Sequence, residues 1–122
     1  VQQSIAKHYK GGGVIGAVCH GPAALIHVKV DGEPLVKDKR VAGFTNEEEA
    51  AVQLTDAVPF LLETALRELG AEFVKADNFQ NKVAVSGRLV TGQDPASATG
   101  TAKAIVDLLD YLNEDESSRS RF

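Results

Sequence analysis

Residues 14–19, VIGAVC, form a continuous apolar run that leads straight into His20, Gly21 and Pro22. Three glycines, Gly11, Gly12 and Gly13, stand immediately before it. An apolar run this short, bounded by glycine, fits a strand buried on both faces of a parallel sheet better than it fits a helix. Pro22 is placed for the first turn of a following helix, where its missing N–H costs nothing. Cys19 therefore falls where a buried strand turns sharply into a helix. That order of elements predicts an α/β fold with a mainly parallel sheet.

The rest of the chain extends the same alternation. Residues 2–10 read as an amphipathic helix, stopped by the three glycines. Asp31-Gly32 marks a hairpin turn, and RVAGF reads as a second short buried strand. Thr45 or Asn46 caps a helix opening with Glu47, Glu48 and Glu49, acids where the helix dipole favours them. Pro59 opens the next helix, PFLLETALREL, with Phe60, Leu62, Leu66 and Leu69 on its apolar face and Gly70 at its end. AEFVKA reads as a strand, and KVAVSGRLVTG as a hairpin about Ser86-Gly87. Residues 95–112 form a final helix expected to bury Ala98, Ala102, Ile105, Leu108, Leu109 and Leu112. Residues 1–112 thus make one domain portion, and the polar residues 113–122 are expected to be a disordered tail.

Composition narrows the function classes. Of 122 residues, 43% are hydrophobic and the net charge is only −4, which suits a folded domain. No apolar run approaches the roughly 20 residues of a membrane-spanning helix, so no membrane partner is expected. Acids outnumber bases, 17 to 13, and Lys37, Lys39 and Arg40 are diluted by Asp38 in a turn, so nucleic acid is not expected either. One cysteine precludes an internal disulfide and a multi-cysteine zinc site. A lone thiol fits a reducing compartment, and a cytoplasmic location is expected.

Cys19 is the first candidate for chemistry. A side chain trapped between strand and helix is held up at the strand's C-terminal edge, as in a nucleophile elbow. Backbone N–H groups at the helix start would lower the thiol pKa, and His20 stands next to it as a possible base. Gly21 and Ala17 are small enough for the turn to close. A buried structural cysteine is the competing reading, since free cysteine is among the most buried residue types. Gly11, Gly13 and Gly16 match the spacing G-x-G-x-x-G, but they follow a helix and open a strand, the reverse of a dinucleotide-binding turn. The three glutamates read first as a solvated helix start, with one of them able to orient a histidine. His8 and His27 lack ligand-spaced partners, so no metal is expected, and Asp94 and Ser97 read as a turn and cap at Pro95.

Four blocks in order, AVCHGPAAL, RVAGFTNEEEAAV, VPFLLETALRELGAEFVKADNF and GRLVTGQDPASATGTAKAI, resemble the ThiJ/PfpI superfamily. The resemblance is closest to its type 1 glutamine amidotransferase-like branch, which includes glyoxalase III-like stress chaperones, and it runs from about Gln2 to Leu112. It implies a flavodoxin-like three-layer sandwich of which this chain is the C-terminal portion, without the N-terminal half. It also implies a Cys19, His20 and Glu49 constellation, with Glu48 as the alternative acid. The chain departs from the family pattern at Phe79, Ser86 and Asp94, where Trp, Asp and Asn are common.

By the same resemblance, the complete domain converts methylglyoxal to lactate through a cysteine hemithioacetal, with no cofactor and no glutathione. The alternatives are a cysteine hydrolase or deglycase, and a non-catalytic chaperone or redox sensor. Glutamine amidotransferases proper use a histidine far downstream, and no histidine follows His27. The family's upstream half supplies an acid against the cysteine and a glycine-rich oxyanion turn, so little activity and no stable monomer are expected of this chain alone. A homodimer or a companion N-terminal segment is the expected partner, and a small reactive aldehyde the expected substrate.

Overall fold

The computed structural model describes the backbone of residues 1–120 and the side chains through residue 114. The chain runs α1 (Gln2–Lys10), β1 (Ile15–Val18), a 3-10 helix (Gly21–Leu25), β2 (Lys29–Val30), β3 (Glu33–Pro34), β4 (Arg40–Val41) and α2 (Asn46–Ala51). It continues through α3 (Leu62–Glu68), β5 (Glu72–Phe73), β6 (Val83–Ser86), β7 (Leu89–Gly92), a 3-10 turn (Pro95–Ser97) and α4 (Ala98–Ser120). No described helix is long and apolar enough to cross a membrane.

The fold is α/β with a mixed sheet. The main sheet has the order β1-β7-β6. β1 runs parallel to β7, with Ile15 opposite Leu89 and Val18 opposite Gly92. β6 and β7 form the antiparallel hairpin read from the sequence, with Ser86 opposite Leu89. β4 and β5 pair in parallel, and β2 and β3 form the hairpin at Asp31-Gly32. Parallel and antiparallel pairs are thus combined, where a mainly parallel sheet was expected.

The strand buried throughout is β7, not β1. β7 is flanked on both sides, whereas β1 has β7 on one side among the described strands. Leu25, Val41, Phe44, Leu62, Leu66 and Leu89 meet in one core, which joins the main sheet to α3 and the β4–β5 pair. α4 packs on β1 and β7, where its Ile105 takes the space a side chain at Gly16 would need.

Three element expectations are corrected. α3 begins at Leu62 rather than Pro59, because its first turn is fixed by docking on α2: Glu63 Oε1 accepts the Asn46 N–H at 3.0 Å. The residues after Pro22 form a short 3-10 helix rather than an α-helix. α4 does not end at Leu112, because no glycine or proline follows that residue to stop it, and it continues to Ser120; residues 121 and 122 of the expected tail lie outside the described residues. On α4, Ala98, Ala102 and Leu109 are exposed, while Ile105, Leu108 and Leu112 are half-buried. The sheet beneath α4 is too narrow to cover its whole apolar face.

Candidate active site

Cys19 occupies the turn after β1 with φ of 63°, a left-handed conformation that a non-glycine residue holds only under constraint. The constraint is visible on both sides. Cys19 N–H donates to the Gly92 carbonyl at 3.0 Å, and the Cys19 carbonyl accepts the Phe44 N–H at 2.9 Å. The elbow is thus pinned between the end of β7 and the loop after β4. Gly43 lies so close that a Cβ there would come 3.7 Å from the Cys19 carbonyl oxygen and 3.0 Å from Leu62.

His20 points across the turn. Its Nδ1 lies 3.5 Å from Cys19 Sγ, and its Nε2 lies 2.9 Å from Glu49 Oε2. Glu49 is 1% exposed, while the His20 side chain is 47% exposed. A carboxylate bonded at Nε2 fixes the tautomer with the proton on Nε2, leaving Nδ1 free to accept from the thiol. The His20 ring also lies against Phe44, centroids 4.4 Å apart, and Phe44 meets Phe79 edge-on at 6.0 Å. The three residues named from the sequence therefore stand in one hydrogen-bonded line.

Glutamates 47–49 do not share one environment. Glu47 is exposed, while Glu48 and Glu49 are fully buried. Glu48 closes a capping box with Thr45: its Oε1 accepts the Thr45 N–H, and Thr45 Oγ1 accepts the Glu48 N–H, both at 3.0 Å. Its Oε2 accepts the Phe79 N–H at 2.8 Å. The Thr45-x-x-Glu48 spacing was the sequence signal for this role. Burial pushes the Glu48 carboxyl up, but hydrogen bonds from Asp94, Thr45, Phe79 and Gln93 outweigh it and hold the group below its ordinary value.

The thiol is not activated in the way the sequence suggested. Burial pushes Cys19 above the ordinary thiol value, and the neighbouring acids Glu48, Asp94 and Glu49 push the same way. A hydrogen bond from the His20 backbone opposes them and loses. The expectation of a lowered thiol needed an α-helix start behind Cys19, and the structure has a 3-10 helix there. His8 and His27 are exposed and away from the site. Among the described residues, no group of three or more His, Cys, Asp and Glu side chains is placed to hold a metal ion.

A strained cysteine at a strand end, bonded to a histidine that is bonded to a buried glutamate, on an α/β scaffold, defines a cysteine-centred α/β protein. The chain belongs to the ThiJ/PfpI superfamily. It is 41% identical over 110 residues to the probable glutathione-independent glyoxalase hsp3103 of Schizosaccharomyces pombe, covering 83% of this chain and 42% of that protein. It is 34% identical over 105 residues to glyoxalase 3 of Candida albicans, covering 80% and 44%. Among solved structures, the 24 kDa rapid encystment protein of Francisella tularensis superposes with a TM-score of 0.83 at 48% identity, over 85% of this chain and 47% of that one. The crystal structure of glyoxalase III from Candida albicans superposes at 0.81 with 33% identity, over 87% and 47%. The chain spans about half the length of these relatives. No family model matches the sequence.

Proposed function

We propose that this chain is the C-terminal portion of a flavodoxin-like glyoxalase III-type domain that converts methylglyoxal to lactate without glutathione or a cofactor. The observation that carries the reading is the line Cys19 Sγ, His20 and Glu49, with 3.5 Å and 2.9 Å between its members. Similarity to glutathione-independent glyoxalases supports the choice of reaction.

The thiol proton passes to His20 Nδ1 as Sγ bonds to the aldehyde carbon, and the carbonyl oxygen takes a proton to give a hemithioacetal. His20 then removes the hydrogen on that carbon as a proton, and the resulting enediol is reprotonated at the neighbouring carbon. The oxidation of one carbon balances the reduction of the other, leaving a lactoyl thioester on Cys19. Water cleaves that thioester and releases lactate and the thiol. Glu49 holds the imidazole tautomer and stabilises its cation. Because Cys19 is raised rather than lowered, proton removal by His20 during attack matters more than a standing thiolate. The same rise counts against a redox sensor, which needs a low thiol pKa.

A second copy of the chain or a companion upstream segment completes the domain in this reading, and the cytoplasm is its compartment. The test is lactate formation from methylglyoxal in the absence of glutathione, by the complete protein. Cys19→Ala should abolish it; unchanged lactate formation in that variant would reject the reading.

A further inference from the structure

Glu48 and Asp94 are both 0% exposed, and both are tied to the 76–79 loop: Glu48 Oε2 accepts the Phe79 N–H, and Gln93, next to Asp94, accepts the Ala76 N–H, which brings the two carboxyl groups together. Glu48 already accepts at both oxygens, from Thr45 N–H and Phe79 N–H. Asp94 Oδ1 accepts from Ser97 Oγ at 3.0 Å, while Oδ2 is buried with no protein donor or acceptor that satisfies it as a carboxylate. No ion pair among the described residues reaches either group. The charged and titratable groups facing the pair are Glu49 on α2 and the Cys19 thiol at the end of β1; the Gln93 amide stands beside Glu48. All are neutral or negative. Two ionised carboxylates in contact in such a place repel, so one must carry a proton.

We propose that Glu48 and Asp94 share a single proton, and that Asp94, as the neutral partner, is a positioning residue that acts on Cys19 and Glu49 through Glu48. The O–H of Asp94 donates to Glu48 and so satisfies the orphaned oxygen. Glu48, kept ionised, then holds two backbone groups. The Thr45 N–H fixes the start of α2, which presents Glu49 to His20. The Phe79 N–H fixes the aromatic edge that backs Phe44 and, through it, the His20 ring. The shared proton also keeps a second negative charge away from the thiol. Burial, followed by the bond to Glu48 and the charge of Glu48, pushes the Asp94 carboxyl above its ordinary value, in keeping with this arrangement. The inference rests on the proposed roles of Cys19 and Glu49, but its tests use no methylglyoxal.

The first test is a carbon-13 carboxyl NMR titration of the complete protein. Asp94 should stay protonated well above the ordinary aspartate value of about 3.9 while Glu48 is ionised; ordinary titration of Asp94 would overturn the proposal. The second compares Asp94→Asn, which keeps a permanent donor, with Asp94→Leu, which has none. Cys19 alkylation by iodoacetamide should stay within about threefold of the parent in the Asn variant and fall roughly tenfold or more in the Leu variant, the worth of a hydrogen bond to a charged group. Equal rates in the two variants would overturn the positioning role. A raised folded value for Asp94 means that its contribution to stability falls as pH rises from about 3.9 through that value. The melting temperature of Asp94→Asn should therefore gain on the parent as pH rises, and a difference constant with pH would also overturn the proposal. Should either variant fail to fold, the titration of the parent decides. A protein that passes these tests yet forms no lactate would refute the glyoxalase reading and leave the shared proton standing.

Discussion

The imidazole of His20 lies on the ring of Phe44, with centroids 4.4 Å apart and planes inclined by 36°. Phe44 is 4% exposed and belongs to the central core, so one residue both supports the fold and backs the candidate base. Phe44→Ala should cost about 3–5 kcal/mol of stability, as large core truncations do. Denaturant unfolding checks the value; a loss below about 1 kcal/mol would show that the ring contributes little to packing.

The strain at Cys19 separates from its chemistry. Cys19→Gly and Cys19→Ala both lose the thiol, but only glycine relieves a φ of 63°. The glycine variant should be the more stable of the two by about 1 kcal/mol, even though alanine ordinarily loses less entropy on folding. Paired thermal melts measure the difference. A more stable alanine variant would mean the elbow relaxes when the thiol is removed.

Gly92 is the point where β7 meets both the elbow and α4. A Cβ there would press on Thr101 Oγ1 and come within 3.0 Å of Val18 and 3.1 Å of Ser97. Gly92→Ala should cost about 1–3 kcal/mol through overpacking. Because the Gly92 carbonyl accepts the Cys19 N–H, the substitution should also slow Cys19 alkylation. Unfolding and alkylation measured on the same sample test both effects.

Cys19 was legible because an apolar run that meets Gly21 and Pro22 leaves a side chain no gentle path from strand to helix. Glu49 was legible only through the family resemblance, since three consecutive glutamates look alike to charge and periodicity. The surroundings that bury it and Glu48 are distant in sequence: His20 lies against Glu49, and the Phe79 N–H against Glu48. Asp94 reads from the sequence as a turn and cap at Pro95, and nothing local to it signals that it is buried. The start of α3 was misplaced for a similar reason, because local preference favoured Pro59 and the Glu63–Asn46 contact favoured Leu62.

Glu63 gives a pH prediction of definite sign. Burial pushes its carboxyl up, but the Asn46 N–H, Arg67 and Lys75 outweigh it and hold the folded value below the ordinary one. Arg67 Nη2 lies 2.9 Å away, and Lys75 Nζ 3.7 Å. A depressed folded value gives stability that is fully present above the unfolded value, about 4.3, and is lost as pH falls through the folded value. Glu63→Gln should therefore narrow the gap to the parent in acid and widen it near neutrality. Melting temperatures at a series of pH values check this, and an unchanging gap would show that the ion pairs are screened out by solvent.

Mutating the site should rank its residues. In the proposed mechanism Cys19 Sγ bonds to substrate, so Cys19→Ala should abolish lactate formation. His20→Ala removes the proposed base and should cost about 10²–10⁴-fold in kcat, the usual span for general acid–base catalysis. Glu49→Gln keeps the shape but weakens a hydrogen bond to a charge, worth about 1.5–3 kcal/mol, or roughly 10- to 100-fold. Its effect should fall in kcat rather than KM, because Glu49 contacts His20 and is 1% exposed. Glu49 Oε1 has no other partner among the described residues, so the carboxylate has little to hold it except His20. His20→Ala should therefore also destabilise the fold by stranding a buried charge, whereas Cys19→Ala should not. Steady-state kinetics with parallel melts would separate these effects. If Glu48→Gln lowers kcat and Glu49→Gln does not, the orienting acid is Glu48 and the assignment moves by one residue.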